Sequence, residues 1–482
     1  MLAGMIIHSS KLNGINVSPQ KQVRISQYAD DTILFLDGSY ESLKGAMQEL
    51  DNFARISGLK VNVSKTSCLP IGTLTKDCMP EGLGINIVDE LKVLGITISN
   101  KLENITIKNI KEKMTAVRKD LHQWKRRNLT PIGKICIIKT ILISKLVHLF
   151  ISLPNPPTNF FKEIEGLLFD FIWNGKRDKI KRTKLMQGYE QDGLKMINIR
   201  AFIDSMKLTW LKRFISSTGD WTEIARTQLP PVYQLLTYGK EKLKETKSKI
   251  TNEFYSDIID ALIRFTTNYH PSSKEILTET LWFSDHSGFP KSIIKVWNMK
   301  GLRFVSDLFD QYSGKLLSRE DLNQRYNINI NFLSYERLVH KVPENLVKDA
   351  TNDLNSPVIP FKIQAVMLGK TFTKLAYKIH LKATTANHKE VNQRIKSKWE
   401  NAVGQYETGT LVTVMNTTKS TYLAYFHYKI ITRIYPTNKL LELMNIAEPR
   451  NVLFAKTRQK PSLIFFGFVL KLNNLLKIHF LT

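Results

Sequence analysis

Residues 23–36 constrain the fold more than any other stretch of this chain. Val23-Arg-Ile-Ser-Gln-Tyr28 alternates apolar and polar side chains, Ala29-Asp-Asp31 interrupts it, and Thr32-Ile-Leu-Phe-Leu36 resumes an apolar run. Successive side chains of a strand point to opposite faces, so the pattern predicts two strands joined by an acidic tight turn. Ser39 is then placed to cap a helix whose one face carries Leu43, Ala46, Met47, Leu50, Phe53 and Ala54, with Gly58 in the C-terminal cap position. Leu59, Val61 and Val63 alternate and predict a third strand. Val93-Leu-Gly-Ile-Thr-Ile98 predicts a further short strand pair bent at Gly95. Strand, strand, helix, strand, strand makes a small α+β unit.

Beyond Asn100 the apolar spacing changes to that of helices. Ile105–Arg127 is amphipathic and strongly basic. Pro131 opens a helix with Ile135, Ile138, Leu142, Leu146 and Leu149 on one side. Pro154-Asn-Pro-Pro157 breaks the chain, and Phe161, Ile164, Leu168, Phe171 and Ile172 mark another helix, ended by Gly175. From about 195 to 450 the pattern is mainly helical. The Lys/Thr/Glu-rich stretch 239–252 and the Asn/Asp-rich stretch 344–356 read as linkers. The expected fold class is α+β: a short antiparallel sheet plus helix, followed by a mainly α-helical region.

Composition narrows the partners. Hydrophobic residues make up 43% and charged residues 23% of the chain, which excludes disorder throughout. Seventy Lys and Arg against 43 Asp and Glu leave a formal charge of +27, which suits a polyanion, with nucleic acid ahead of a membrane surface. The three cysteines, Cys68, Cys78 and Cys136, are widely spaced and form no Cys-x-x-Cys. The expectation is therefore no disulfide framework, no zinc, and a reducing compartment, cytoplasm or nucleus. The first residues carry neither the basic start nor the apolar run of a signal peptide, so secretion is not expected. Ile135–Leu153 contains Lys139, Lys145 and His148. A central Lys costs about 2.5–3.5 kcal/mol on the insertion scale, so this stretch reads as core rather than membrane span. The apolar run Leu463–Leu470 is too short to cross.

Two features carry chemistry. Asp30 and Asp31, adjacent at a turn, repel each other unless a cation sits between them, and hard oxygen ligands suit Mg²⁺. Nucleotidyl transfer uses carboxylates that hold two such ions about 3.5–4 Å apart. The plain alternative is that Asp is a common turn residue. The second feature is charge. Lys111–Lys139 holds nine Lys or Arg against Glu112 and Asp120, and Lys176–Lys184 holds six against one Asp. Lys125, Arg126, Arg127 and Lys134 in the first cluster, and Lys179 and Arg182 in the second, are the candidate phosphate contacts. Trp124 and Trp173 beside them could stack on bases or pack in a core.

The run Gln27-Tyr-Ala-Asp-Asp-Thr-Ile-Leu-Phe-Leu-Asp-Gly-Ser39 resembles the catalytic hairpin of reverse transcriptases from LINE-type non-LTR retrotransposons. Ser57-Gly-Leu-Lys-Val-Asn62 with Lys65-Thr66 resembles that family's next palm motif, and Val93-Leu-Gly-Ile96 its primer-grip turn. Asn128-Leu-Thr-Pro-Ile-Gly-Lys134, Lys139-Thr140 and Leu149-Phe-Ile-Ser-Leu-Pro154 resemble its thumb. Phe171-Ile-Trp173, Gly193-Leu194 and Trp210-Leu211 resemble the stretch beyond the thumb, and Ile431-Thr-Arg433 with Thr437-Asn438 the segment before a C-terminal zinc knuckle. The resemblance implies a partial palm over 1–100, a thumb over 101–155, a helical post-thumb region over 156–238 and a helical C-terminal region over 239–451. It makes Asp30 the metal-binding carboxylate and Asp31 its partner at the primer end. It makes Lys65 an aid to the leaving pyrophosphate, and it places Tyr28 and Gly95 against nucleic acid. The implied partners are an RNA template with a DNA primer, or the RNA–DNA hybrid, with no membrane and no small-molecule cofactor.

Two departures bear on activity. The family's site uses a third carboxylate on a strand upstream of the hairpin, and residues 1–29 contain no Asp or Glu. The expectation is no polymerase activity from this chain by itself, dNTP binding only if the palm were completed, and a bare sheet edge at the hairpin. The family also ends in Cys-x2-Cys-x8-His-x4-Cys, a zinc-ligand spacing, whereas no Cys follows Cys136. Read one base out of step, permitted codons spanning Asn451/Val452, Phe454/Ala455, Leu463/Ile464 and Phe468/Val469 give Cys, Cys, His and Cys at that spacing. The tail 452–482 is then expected to be out of frame; a diverged tail without zinc is the alternative. A non-enzymatic nucleic-acid-binding protein derived from the same source is the second functional reading, and a helical scaffold with an accidental acidic turn is the third.

Overall fold

A computed structural model describes residues 1–18, 21–72, 85–217, 219–236, 240–268, 291–310, 316–339, 369–385 and 409–435, with a few single positions between 367 and 400. Helix α1 (Leu2–His8) precedes two hairpins, β1 (Ile15–Ser18) with β2 (Lys21–Val23) and β3 (Ile25–Tyr28) with β4 (Asp31–Leu34). Helix α2 (Tyr40–Ser57) follows, then the short parallel pair β5 (Ser67–Cys68) and β6 (Asn86–Ile87), and a third hairpin of β7 (Glu90–Val93) and β8 (Ile96–Ser99). Helices then dominate: α3 (Ile105–Lys125), α4 (Pro131–Ile137) continued by a π-turn over Ile138–Leu142, α5 (Ser144–Ser152), α6 (Thr158–Trp173), α7 (Arg182–Met186) and α8 (Ile199–Ser216). The α+β expectation holds, and among the described residues each sheet has two strands.

The local signals act as the sequence suggests. Ser39 caps α2, its Oγ accepting from the Ser42 N–H at 3.2 Å, and Gly58 ends the helix at φ 73° with its N–H on the Ala54 carbonyl. Thr130 caps α4 with Pro131 in the first turn, where its missing N–H costs nothing. Gly175 closes α6 at φ 76°. No single helix among the described residues is long and apolar enough to cross a membrane.

The expected third strand at Leu59–Val63 does not form. Residues 59–62 carry no regular structure, Val63–Lys65 is a 3₁₀ turn, and Leu59 is 66% exposed. Alternation makes a strand only where another strand supplies hydrogen bonds, and among the described residues none lies beside it. The stretch 239–252 is not a linker. Lys240–Ser248 is a helix that packs on the next one, Glu253–Asn268, and buries Leu243 in a core with Leu208, Leu235, Ile258, Leu262 and Phe265. Its lysines and glutamates pair with one another on the outer face, as Lys242 and Lys249 do with Glu245. The second expected linker, 344–356, and the tail 452–482 lie outside the described residues.

The chain divides into two compact units, each assembled from separated segments. The first takes Met1–Ala116, Leu146–Phe160 and Arg200–His380. Its N-terminal core is small: Ile6, Leu12 and Ala46 are buried, with Leu2, Ile25, Leu34 and Leu36 packed around them. Its larger helical core contains a buried ion network. Asp204, 1% exposed, takes both Nε and Nη2 of Arg264 at 2.7 and 2.8 Å, and Lys207 gives its ammonium to the Leu153 carbonyl beneath the Phe254 ring.

The second unit takes Val117–Lys145, Phe161–Ile199 and Leu381–Thr482. Asp192, held at φ 52°, accepts from the N–H groups of Gly409 at 3.1 Å and Leu411 at 3.4 Å, which are orphan donors at the start of the helix Thr410–Thr417. Gly193 follows because a Cβ there would stand 2.2 Å from the Gln187 carbonyl oxygen.

Candidate functional site

The acidic hairpin is built as a two-residue turn. Tyr28 pairs with Asp31, Gln27 with Thr32, Ser26 with Ile33 and Ile25 with Leu34. Ala29 and Asp30 are the central residues, and Ala29 sits at φ 54° while Asp30 does not have a positive φ. A positive φ at the first central position alone is the pattern of a type II′ turn, where glycine is preferred. Ala29 therefore carries about 1–2 kcal/mol of backbone strain at the turn. The consequence is that both carboxylates lie at the tip, Asp30 in the turn and Asp31 as the first residue of β4, and both are exposed. Tyr28 beside them is 68% exposed. Among the described residues neither outer edge of this hairpin is paired with another strand, which is the bare edge expected from sequence.

Among the described residues no third His, Cys, Asp or Glu joins Asp30 and Asp31 into a metal-binding group. The next acid along the chain, Asp37, faces elsewhere: its Oδ1 accepts from the Ser39 N–H at 3.0 Å and the Ser39 hydroxyl at 2.7 Å, buttressing the start of α2. Asp30 and Asp31 are therefore the two carboxylates that the described residues bring to this turn. Lys65 is exposed on its 3₁₀ turn and makes no hydrogen bond or ion pair with either aspartate among the described residues. The structure brings Tyr28, Asp30 and Asp31 together at one turn.

The Gly95 turn is as expected. Leu94 at φ 47° and Gly95 at φ 83° give the two positive values of a type I′ hairpin, with Val93 paired to Ile96. A Cβ on Gly95 would meet only His148 Nε2, at 3.8 Å, so the turn presents open backbone, and Leu94 is half exposed. Burial, with Lys113 adding to it, lowers the His148 pKa against the opposing hydrogen bond to the Gly95 backbone.

The basic clusters divide once side-chain partners are visible. Lys134 is a correction. It is 1% exposed, and its ammonium donates to the carbonyls of Phe171 at 2.8 Å and Ile172 at 3.3 Å and to Asn174 Oδ1. These are acceptors at the C-terminus of α6, where the helix dipole is negative and the last carbonyls lack intrahelical partners. Burial, then repulsion from Lys125, lowers its pKa, with Asp170 opposing. Lys134 ties two helices and cannot reach phosphate. Lys125 pairs with Asp170 at 2.6 Å. Arg182 is held by Asp178 at 2.7 Å and Glu165 at 3.7 Å over the Phe169 ring, and Lys184 of the same cluster is buried. Trp173 is 5% exposed and belongs to the core. Arg126, Arg127 and Lys179 are exposed and make no ion pair among the described residues. Arg126 and Arg127, with Gln123 and the half-buried Trp124, line an open cleft of about 360 Å³ at the end of α3. Tyr422, which sequence reasoning did not single out, donates its hydroxyl to the Asn128 carbonyl at 2.6 Å while remaining 58% exposed. No local signal could join residues 128 and 422.

Residues 6–98 match the reverse transcriptase (RNA-dependent DNA polymerase) family. The chain is also similar to the "Transposon TX1 uncharacterized 149 kDa protein" of Xenopus laevis, 28% identical over 217 residues. That similarity covers 43% of this chain and 16% of the Xenopus protein. The matched family segment contains the acidic hairpin, α2 and the Gly95 turn. The similarity to reverse transcriptases is thus confined to residues 6–98, and the chain spans about a sixth of the length of the Xenopus protein it matches.

Proposed function

We propose that this chain corresponds to the later part of a LINE-type, non-LTR retrotransposon reverse transcriptase: part of the palm over residues 1–100, the thumb over 101–155, and helical regions beyond. On this reading it holds a template–primer hybrid and does not polymerise as 482 residues alone. The observation that carries it is the Tyr28-Ala-Asp-Asp31 turn, which lies inside the segment similar to reverse transcriptases and gathers two carboxylates, with no third acid joining them among the described residues. Asp30 and Asp31 would be the contribution of this turn to a Mg²⁺ site, and no third carboxylate joins them among the described residues. Primer extension on an RNA template with Mg²⁺ and dNTPs tests the reading. No product is expected, and synthesis that is lost in Asp30→Ala would refute it.

Arg126 and Arg127, exposed and without an ion pair among the described residues, favour a second reading in which nucleic-acid binding is what the isolated chain does. It predicts RNA–DNA hybrid binding that weakens steeply with salt and survives Asp30→Ala and Asp31→Ala. An absence of binding even at low salt refutes it.

A further inference from the structure

The cleft at the end of α3 combines groups that sequence alone leaves scattered. Trp124 lines it and is partly exposed. Arg126 and Arg127 line it with exposed guanidiniums that no carboxylate neutralises among the described residues. The acid on the neighbouring helix, Asp170, is already committed to Lys125 at 2.6 Å, and Glu163 to Arg118. One residue past Arg127, the Asn128 carbonyl accepts the Tyr422 hydroxyl. This fixes an exposed aromatic ring from the helix Thr421–Ile431 against the turn that follows the cleft. All of these residues belong to the second compact unit.

We propose that this cleft is a stacking subsite for an unpaired nucleotide of single-stranded nucleic acid, with Trp124 as the base platform, Arg126 and Arg127 on the flanking phosphates, and Tyr422 bordering the strand's path. The proposal rests on the nucleic-acid-binding reading above and adds where, and in what strand state, the contact is made. Three features carry it. The cleft, about 360 Å³ and open to solvent, has room for one base beside Trp124. An aromatic face beside arginines is the combination that single-strand binders use, because every base offers a π-face and every linkage a charge. The paired bases of a duplex are stacked on their neighbours and present no face to Trp124.

The test uses the full chain and fluorescence anisotropy with three labelled probes of equal length, about twelve nucleotides: a single strand, a strand of abasic sugar-phosphates, and a blunt duplex. The wild type is expected to prefer the single strand over the abasic strand. Trp124→Ala should weaken the single strand by about tenfold and leave the abasic strand unchanged, while Trp124→Phe keeps most of the affinity. Arg126→Ala and Arg127→Ala should weaken both strands alike, each flattening the dependence of log affinity on log salt by about 0.7. Circular dichroism melting confirms that each variant is folded; if Trp124→Ala is not, Trp124→Leu, which keeps apolar bulk without an aromatic face, carries the test with the same expected loss of about tenfold on the single strand only. Equal losses on the normal and abasic strands in Trp124→Ala, or no change in either, overturn the stacking subsite while leaving nucleic-acid binding intact. No binding of any probe by the wild type overturns the nucleic-acid reading itself, and the subsite with it.

Discussion

Lys134 offers the sharpest test of how the basic residues divide. Its ammonium donates to the Phe171 and Ile172 carbonyls and to Asn174, 5.2 Å from the centroid of the Phe171 ring. Lys134→Ala removes a charged donor from two helix-terminal carbonyls, each such bond worth about 1.5–3 kcal/mol in mutational series. It also removes a favourable dipole contact of up to about 2 kcal/mol and leaves a space where the stem packed. Against this stand the desolvation cost that the ammonium bears and the side-chain entropy it gives up. The balance is a loss of about 2–4 kcal/mol. At roughly 2–4 °C per kcal/mol for a body of 150–250 residues, the melting temperature should fall by about 4–16 °C. Lys134→Met keeps the stem and should recover part of the loss. Thermal melting by circular dichroism reads the stability, and hybrid-binding anisotropy at a temperature where all variants are folded reads the function. Affinity per folded molecule should be unchanged. A Lys134→Ala chain with the wild-type melting temperature and weakened, less salt-dependent binding would refute the assignment and restore Lys134 as a phosphate contact.

Removing one member of the buried Asp204–Arg264 pair by Asp204→Ala should cost about 3–5 kcal/mol, whereas Asp204→Ala with Arg264→Met should cost much less than the sum of the single changes; additive losses in urea unfolding would exclude a coupled pair. Burial pushes the Lys207 pKa down to about 8, with Asp257 and Asp204 pulling the other way, against 10.5 for a free lysine. Between these values the unfolded chain holds a proton that the folded chain has released, so Lys207 makes stability rise with pH across about 8 to 10.5, by about 1.4 kcal/mol per unit. Lys207→Met should remove that rise, and unfolding curves at pH 7.5 and 10 that shift equally in both proteins would contradict it.

The local features of this fold were fixed by the chain itself. The Ser39 and Thr130 caps, the Gly58 and Gly175 stops and the Gly95 turn depend on the φ values and hydrogen bonds available to a few consecutive residues and form where the residue types favour them, while the Tyr28-to-Asp31 turn is held by the strand pairing on either side of it despite the positive φ of Ala29. Tertiary structure decided what those residues could not encode locally. Leu59, Val61 and Val63 alternate like a strand, but a strand needs a partner, and among the described residues no strand pairs with this segment. The lysine-rich 240–248 stretch looks solvated, yet Leu243 supplies a buried contact that makes it part of a core. Lys134 and Arg126 lie close together in one basic run and were indistinguishable there. One meets the carbonyl end of α6 and the other meets solvent, because α4 and the end of α3 turn different faces to the rest of the unit. The acidic turn was legible for the same reason that its chemistry is incomplete: two adjacent carboxylates can be read from consecutive residues, whereas a third ligand must be delivered by another part of a fold.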